Sequence, residues 1–322
     1  MSFVRRAVID VGTNSVKLLV ADVQGHSVVP VFEGSEQTRL GKGFYQTHTL
    51  QTDAINDTAS VVAQFAGVAR MRNSASLRVI ATSAARDARN KQELLDAIKN
   101  ASGLEVEIIT GEQEADLVYQ GVRSDPKLAG QRLLILDVGG GSAEFIIGEH
   151  EHPEFAHSFP LGSVRLLEHL RPGDPPTPQD LARCRNYLHT FFDDYVHKLI
   201  DPVLARGRER TQFIGTGGAA TIITRMEFEL DKFSRDRIDG SVLTLPAVRR
   251  WMERLWAMPL RERKNITGLP KKRADVILAG VAIYEAVLQE FGFNEARPST
   301  RGLRFAAVMQ PALPSPPTAA VV

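Results

Sequence analysis

The chain has 322 residues, 43% hydrophobic and 24% charged, with a formal net charge of +1; this predicts a water-soluble protein of two domains, each with its own core. The near-zero charge argues against a nucleic-acid partner, and the single cysteine, Cys184, excludes an intrachain disulfide framework and fits a reducing cytoplasm. No apolar run is long enough to cross a membrane, and the start runs directly into a strand pattern, which leaves no room for a signal peptide.

The first apolar runs, Ala7–Val11 and Val16–Ala21, predict two strands joined by the turn Gly12-Thr13-Asn14-Ser15. Val28–Phe32 predicts a third strand. A helix is predicted over Thr52–Met71, with Ile55, Ala59, Val62, Phe65, Ala66 and Ala69 on one stripe. Leu77–Ala81 predicts a strand, Lys91–Asn100 a helix ending near Gly103, Glu105–Thr110 a strand, and Glu112–Val122 a helix. Residues 124–131, with Pro126 and Gly130, make the best linker, so the boundaries expected are 1–124 and 125–300.

The second half opens on another predicted hairpin, Leu133–Val138 and Ala143–Ile147 around Gly139-Gly140-Gly141-Ser142. Thr177-Pro178-Gln179-Asp180 reads as a helix start, with Thr as cap and Pro in the first turn. Helices are expected near Pro246–Met258 and Lys272–Phe291, the latter stopped by Gly292. The Pro- and Ala-rich tail, 311–322, is expected to be disordered. Strands alternating with helices in both halves predict an α/β class.

The two hairpins share one pattern, Asp-Val-Gly-x-x-Ser, beginning at Asp10 and at Asp137. Each Gly turn is followed by a strand rather than a helix, so a Walker or Rossmann loop does not fit. Consecutive backbone N–H groups at glycines can instead form an anion-binding nest. Thr13, Asn14, Ser15 and Ser142 add side-chain donors beside Gly139, Gly140 and Gly141. Asp10 and Asp137 would repel phosphate unless a divalent cation lies between, and hard oxygen ligands suit Mg²⁺. The alternative is a pair of ordinary hairpins whose Gly and Asn residues only turn the chain. A third turn, Gly215-Thr216-Gly217-Gly218, follows a short apolar strand and reads equally as a phosphate contact or as packing.

The residues then point to a family. Asp10–Lys17, Ala81–Asn90, Gly111–Ala115, Asp137–Glu144, Gly215–Gly218, Arg273-Ala274-Asp275 and Gly302-Leu303-Arg304 occur in an order that resembles the exopolyphosphatases and guanosine pentaphosphate phosphohydrolases. The likeness spans nearly the whole chain, from about Val4 to Phe305. It implies an actin-like (ribonuclease H-like) fold of two domains around an interdomain cleft, with 301–310 returning as a helix to the first. It also implies that the chain is the short, two-domain form.

The same resemblance implies a catalytic base at Glu114, a metal pair at Asp137 and Glu144, and an arginine, Arg86, facing the substrate. Glu114, in the first turn of a predicted helix, also fits half a capping arrangement with Gly111 as cap. Gln113 stands where relatives carry an acid, and Thr300 where relatives place an acid after a serine. Arg39 and Lys17 are further phosphate candidates. Two basic runs, Arg261–Arg273 and Arg206–Arg210, read either as solvated faces or as a track for a long polyanion.

The resemblance implies Mg²⁺, with Mn²⁺ as the alternative, and inorganic polyphosphate as substrate. Guanosine pentaphosphate is the close alternative; an actin-like kinase or a non-catalytic nucleotide sensor is the remoter one. Family members often pair as homodimers, and that expectation carries over.

Overall fold

The computed structural model describes residues 3–310; the tail read as disordered lies outside them. The chain divides into two compact units, Met1–Thr110 with the segment from Arg304 onward, and Gly111–Leu303. The helix Gly111–Arg123 and residues 124–131 therefore belong to the second unit.

The first unit carries β1 (Val4–Val11), β2 (Val16–Gln24) and β3 (Ser27–Glu36), followed by α1 (Thr52–Met71), β4 (Ser76–Ala81), α2 (Ser83–Asp87), α3 (Lys91–Ser102) and β5 (Glu107–Ile108). Its sheet runs β3-β2-β1-β4-β5. The three early strands pair antiparallel through tight turns; β4 and β5 join parallel, as helical crossovers allow. Alternate residues Ala7, Ile9 and Val11 of β1 and Val16, Leu18 and Val20 of β2 enter the core beside the α1 stripe, in which all six named positions are buried. The strand read over Glu105–Thr110 shrinks to Glu107–Ile108, which are in register with Ile80 and Ala81 of β4. The C-terminal helix, Leu303–Met309, is held to this unit by hydrogen bonds from Arg304 to the Leu18 carbonyl and from Arg78 to the Ala307 carbonyl.

The second unit carries α4 (Gly111–Arg123), β6 (Leu133–Val138), β7 (Ala143–Gly148), β8 (Phe155–Phe159), α5 (Ser163–Leu170), α6 (Pro178–Phe191), β9 (Gln212–Thr216), α7 (Gly217–Glu227), β10 (Leu243–Thr244), α8 (Leu245–Trp256), α9 (Ile277–Glu290) and β11 (Glu295–Pro298). Its sheet order is β8-β7-β6-β9-β11-β10. Again three antiparallel strands are followed by two parallel ones, so the first unit's plan recurs with one extra edge strand. Two mixed sheets of like strand order make the α/β class of the chain, in which one plan occurs twice.

Local chemistry accounts for some helix ends. Thr177 and Asp180 form a full reciprocal capping box at α6, with Pro178 in its first turn. The helix read over Lys272–Phe291 begins only at Ile277, because Lys271–Arg273 after Pro270 close a 3-10 turn instead. Gly111 is the first residue of α4 rather than its cap. A Cβ there would lie 2.7 Å from Ser158 Cβ, so glycine lets the helix start against β8. Ten residues further along α4, Gly121 permits a similar approach: a Cβ would sit 2.1 Å from the Gly302 carbonyl oxygen.

That last contact is with backbone and cannot yield cheaply. Gly121→Ala is expected to destabilise the protein by about 1–3 kcal/mol. Gly67→Ala on α1, where an added Cβ meets nothing within 4 Å, is expected to stabilise by about 0.5–1 kcal/mol through helix propensity. Chemical denaturation of both variants checks the pair; equal effects would contradict the packing account.

Candidate active site

The repeated hairpin is built alike in both units. In β1/β2, Asp10 pairs with Lys17 across the ladder, and the Gly12 amide donates to the Ser15 carbonyl at 3.0 Å. In β6/β7, Asp137 pairs with Glu144, and the Gly139 amide donates to the Ser142 carbonyl at 2.9 Å. Lys17 and Glu144 thus occupy the same register position with opposite charge.

Both turns are also tied from behind through their carbonyls. The Thr13 and Asn14 oxygens accept from the amides of Gly41 (2.7 Å) and Arg39 (3.1 Å). In the second unit, the Gly139 oxygen accepts from the Ser163 amide, and the Gly140 oxygen from the amides of Val164 and Arg165. Arg165 Nε donates to the Gly141 oxygen at 2.7 Å. In a trans peptide the carbonyl and the next N–H point to opposite sides. Fastening these oxygens therefore turns the amides of Asn14, Ser15, Gly140, Gly141 and Ser142 toward the other face, the arrangement an anion nest needs. Gly162 lets α5 come this close, since a Cβ there would stand 2.4 Å from the Gly140 backbone.

Glu144 is the electrostatic centre of the second unit. It is 1% exposed and accepts a 2.7 Å hydrogen bond from Ser158 Oγ, its register partner on β8. Burial, and then the charges of Glu114 and Asp137, push its carboxyl well above the usual range, while hydrogen bonds from Ser158 and Ser142 partly offset them. Glu114, buried in the first turn of α4, and Asp137 on β6 are therefore gathered around one site with Glu144.

The third glycine turn closes on the same acids. Asp137 is the register partner of Thr216 on β9, and Gly217 has φ +81°. A Cβ at Gly217 would stand 2.1 Å from Asp137 Oδ1, so only glycine fits beside that carboxylate. Here a helix does follow: α7 directs its N-terminus, from Gly217 and Gly218, to this turn. Thr216 Oγ1 donates to the Arg301 carbonyl, which fastens the turn to residues 299–302. Thr300 belongs to that anchor: its amide and hydroxyl both bind Asp239.

In the first unit, Asp10, Thr13, Asn14 and Ser15 are buried around the hairpin, and Lys17 is half-buried on β2. Arg39 lies beside the turn with φ +54°. Arg86, on α2, donates to the Ile109 carbonyl at 3.2 Å and stands 3.7 Å from Asp87. The basic runs do not form one surface. Arg208 is spent on the Phe291 and Gly292 carbonyls and stacks on Phe293, and Arg210 pairs with Glu149. Arg263 is buried beside Asp174, whereas Arg273 reaches the third turn, its Nη1 3.6 Å from where a Gly218 Cβ would be. Ser158, Arg165 and Arg273 are site neighbours that local sequence did not single out for this role.

The chain belongs to the Ppx/GppA phosphatase family, whose profile matches residues 19–310. Among its relatives is exopolyphosphatase 2 of Mycobacterium tuberculosis, 29% identical over 90% of this chain and 92% of that protein. Exopolyphosphatase 1 of Mycobacterium bovis is 30% identical over 88% and 81%. Among solved structures, an exopolyphosphatase from Cytophaga hutchinsonii is similar with TM-score 0.82 at 29% identity, covering 94% of this chain and 96% of that one. A Ppx/GppA family member from Aquifex aeolicus gives TM-score 0.75 at 29% identity over 95% and 97%. No helix of the described residues is long and apolar enough to cross a membrane.

Because the folded carboxyl of Glu144 is raised, the folded state holds its proton to higher pH than the unfolded chain does. Its destabilising charge therefore develops as pH climbs from the ordinary glutamate range through the raised value. In chelator-containing buffer, Glu144→Gln is expected to raise the thermal midpoint at neutral pH and to flatten its decline with rising pH. Melting curves across that range check this; a midpoint lowered at every pH would contradict it.

Proposed function

We propose that the chain is a metal-dependent exopolyphosphatase, releasing terminal orthophosphate from linear inorganic polyphosphate by attack of water. The observation that carries this reading is the convergence of Glu114, Asp137 and Glu144 beside a glycine turn whose amides are turned outward by α5. The named relatives support the substrate class.

A divalent cation fits the chemistry of this donor set. A buried acid whose proton affinity is raised by neighbouring acids is stabilised when a cation shares the site. Among the described residues no group of three or more His, Cys, Asp or Glu is close enough to hold an ion alone. Mg²⁺ is the cation suited to that situation, since it keeps waters and completes its shell with substrate phosphates around one or two carboxylates. Asp137 and Glu144 would hold it, with Mn²⁺ as the alternative; Asp10 is Asp137's counterpart in the first unit. When bound, the ion would neutralise charge on the phosphate oxygens.

The chain's own groups do the rest. Glu114, in the first turn of α4, accepts the proton of the attacking water. The new bond forms between the water oxygen and the terminal phosphorus; the bridging P–O bond breaks, and its electron pair leaves on the shortened chain. Amides of Gly140, Gly141 and Ser142, with those of Gly217 and Gly218, bind the phosphate oxygens. The hairpin of the first unit repeats this role through Thr13, Asn14 and Ser15, with Lys17 and Arg39 as added cations. Arg86 supplies a fixed positive charge for phosphoryl oxygens. The enzyme is expected to work in the cytoplasm, and homodimer formation stands as a family expectation.

Glu114→Gln is expected to lower kcat by about 10²–10⁴-fold while polyphosphate binding persists. Phosphate release from polyphosphates of defined length, with and without chelator, checks this. Guanosine pentaphosphate in a parallel arm separates the two hydrolase substrates. Full turnover by Glu114→Gln, or release of phosphate from neither substrate by the wild type, would overturn the proposal.

A further inference from the structure

The segment that leaves β3 is fastened to the first hairpin by more than backbone. Thr58 Oγ1 on α1 donates to Thr38 Oγ1 at 2.9 Å, and the Arg39 and Gly41 amides hold the turn's carbonyls. Immediately before these residues, Gln37 Nε2 donates to Asn14 Oδ1 at 3.0 Å. In this pairing Gln37 Nε2 donates and Asn14 Oδ1 accepts, while Gln37 Oε1 is buried without a partner among the described residues, and this sets which end of the Asn14 side chain faces Gln37. The oxygen is engaged by Gln37, and the Nδ2 donor is left to another acceptor.

That donor is buried. Asn14 is 6% exposed, and among the described residues its Nδ2 finds no hydrogen-bond partner. Thr13 Oγ1, one residue earlier and 3% exposed, is likewise without one. A buried donor without an acceptor is costly, and its recurrence at adjacent positions of an anion-type turn signals an acceptor supplied by ligand.

We infer that Gln37 is a positioning residue: by holding Asn14 Oδ1 it aims Asn14 Nδ2 at a phosphate oxygen of the substrate. The inference rests on the phosphohydrolase reading for the identity of the ligand but concerns an orientation that binding alone reports. Gln37 never needs to touch the phosphate. Its contribution exists only through Asn14, which separates it from a residue that merely holds the loop together.

The test is calorimetric titration of the wild type, Asn14→Ala, Gln37→Met, Gln37→Glu and the doubles on Asn14→Ala with sodium tripolyphosphate, alongside assays of phosphate release. Asn14→Ala is expected to weaken binding about ten- to a hundredfold, and Gln37→Met by a comparable factor. Gln37→Glu is isosteric, so it guards against misfolding. Its carboxylate accepts from Asn14 Nδ2, turns the amide over and presents Oδ1 to the phosphate, which weakens binding further. On the Asn14→Ala background, Gln37→Met should change nothing more, and Gln37→Glu should retain only its general charge repulsion. Wild-type affinity in Gln37→Met, or losses that multiply in the double variant, would overturn the assignment. Tripolyphosphate binding with this pattern but no phosphate release would overturn the hydrolase reading and leave the assignment standing. Absence of binding by the wild type would overturn both.

Discussion

A carboxyl buried among other carboxyls is the constraint around which the second unit is organised. Glu144 lies on a strand buried along its whole length, between register partners Asp137 and Ser158, with Glu114 near enough to raise its proton affinity. Isolated, such a group would be among the least favourable placements in a protein. Here the fold holds it with hydrogen bonds from Ser158 and Ser142, and the neighbouring glycines leave space at the acids instead of filling it with side chains. An arrangement that stores repulsion between like charges is suited to a cation and to chemistry in which one of those acids takes up a proton.

The two units solve a common problem with different materials. Each starts from an antiparallel hairpin whose turn is Asp-Val-Gly-x-x-Ser, and each anchors the turn's carbonyls from outside. The first unit uses the irregular segment 38–41 for this, and the second the N-terminus of α5 together with Arg165. Two positions after the turn the first unit has Lys17 and the second Glu144. One copy thus favours anions directly, whereas the other gathers acids.

Much of this was legible in the sequence wherever the governing physics is local. The period of Ile55, Ala59, Val62, Phe65, Ala66 and Ala69 locates α1 to its terminal residues, and Thr177-Pro178-x-Asp180 announces α6 through its cap. The facing of Asp137 and Glu144 follows from counting across a tight hairpin. Strand β8 escaped because Phe155–Phe159 is short and only partly apolar, and its meaning lies in Ser158 meeting Glu144 fourteen positions back in the chain. Gly111 looked like a cap by its spacing to Glu114; the closeness of Ser158, a contact distant in sequence, makes it the first helical residue instead. The basic runs stayed open between two readings for a related reason. Charge is visible in sequence, but the carbonyls that occupy Arg208 and the acid beside Arg263 are not.

The central claim of the proposed function is that water attacks the terminal phosphorus. Hydrolysis of polyphosphate in heavy-oxygen water, followed by mass spectrometry of both products, tests it most directly. The account predicts that the released orthophosphate carries the solvent label and the shortened chain carries none. Label in the remaining chain, or unlabelled phosphate passed to an acceptor other than water, would contradict it.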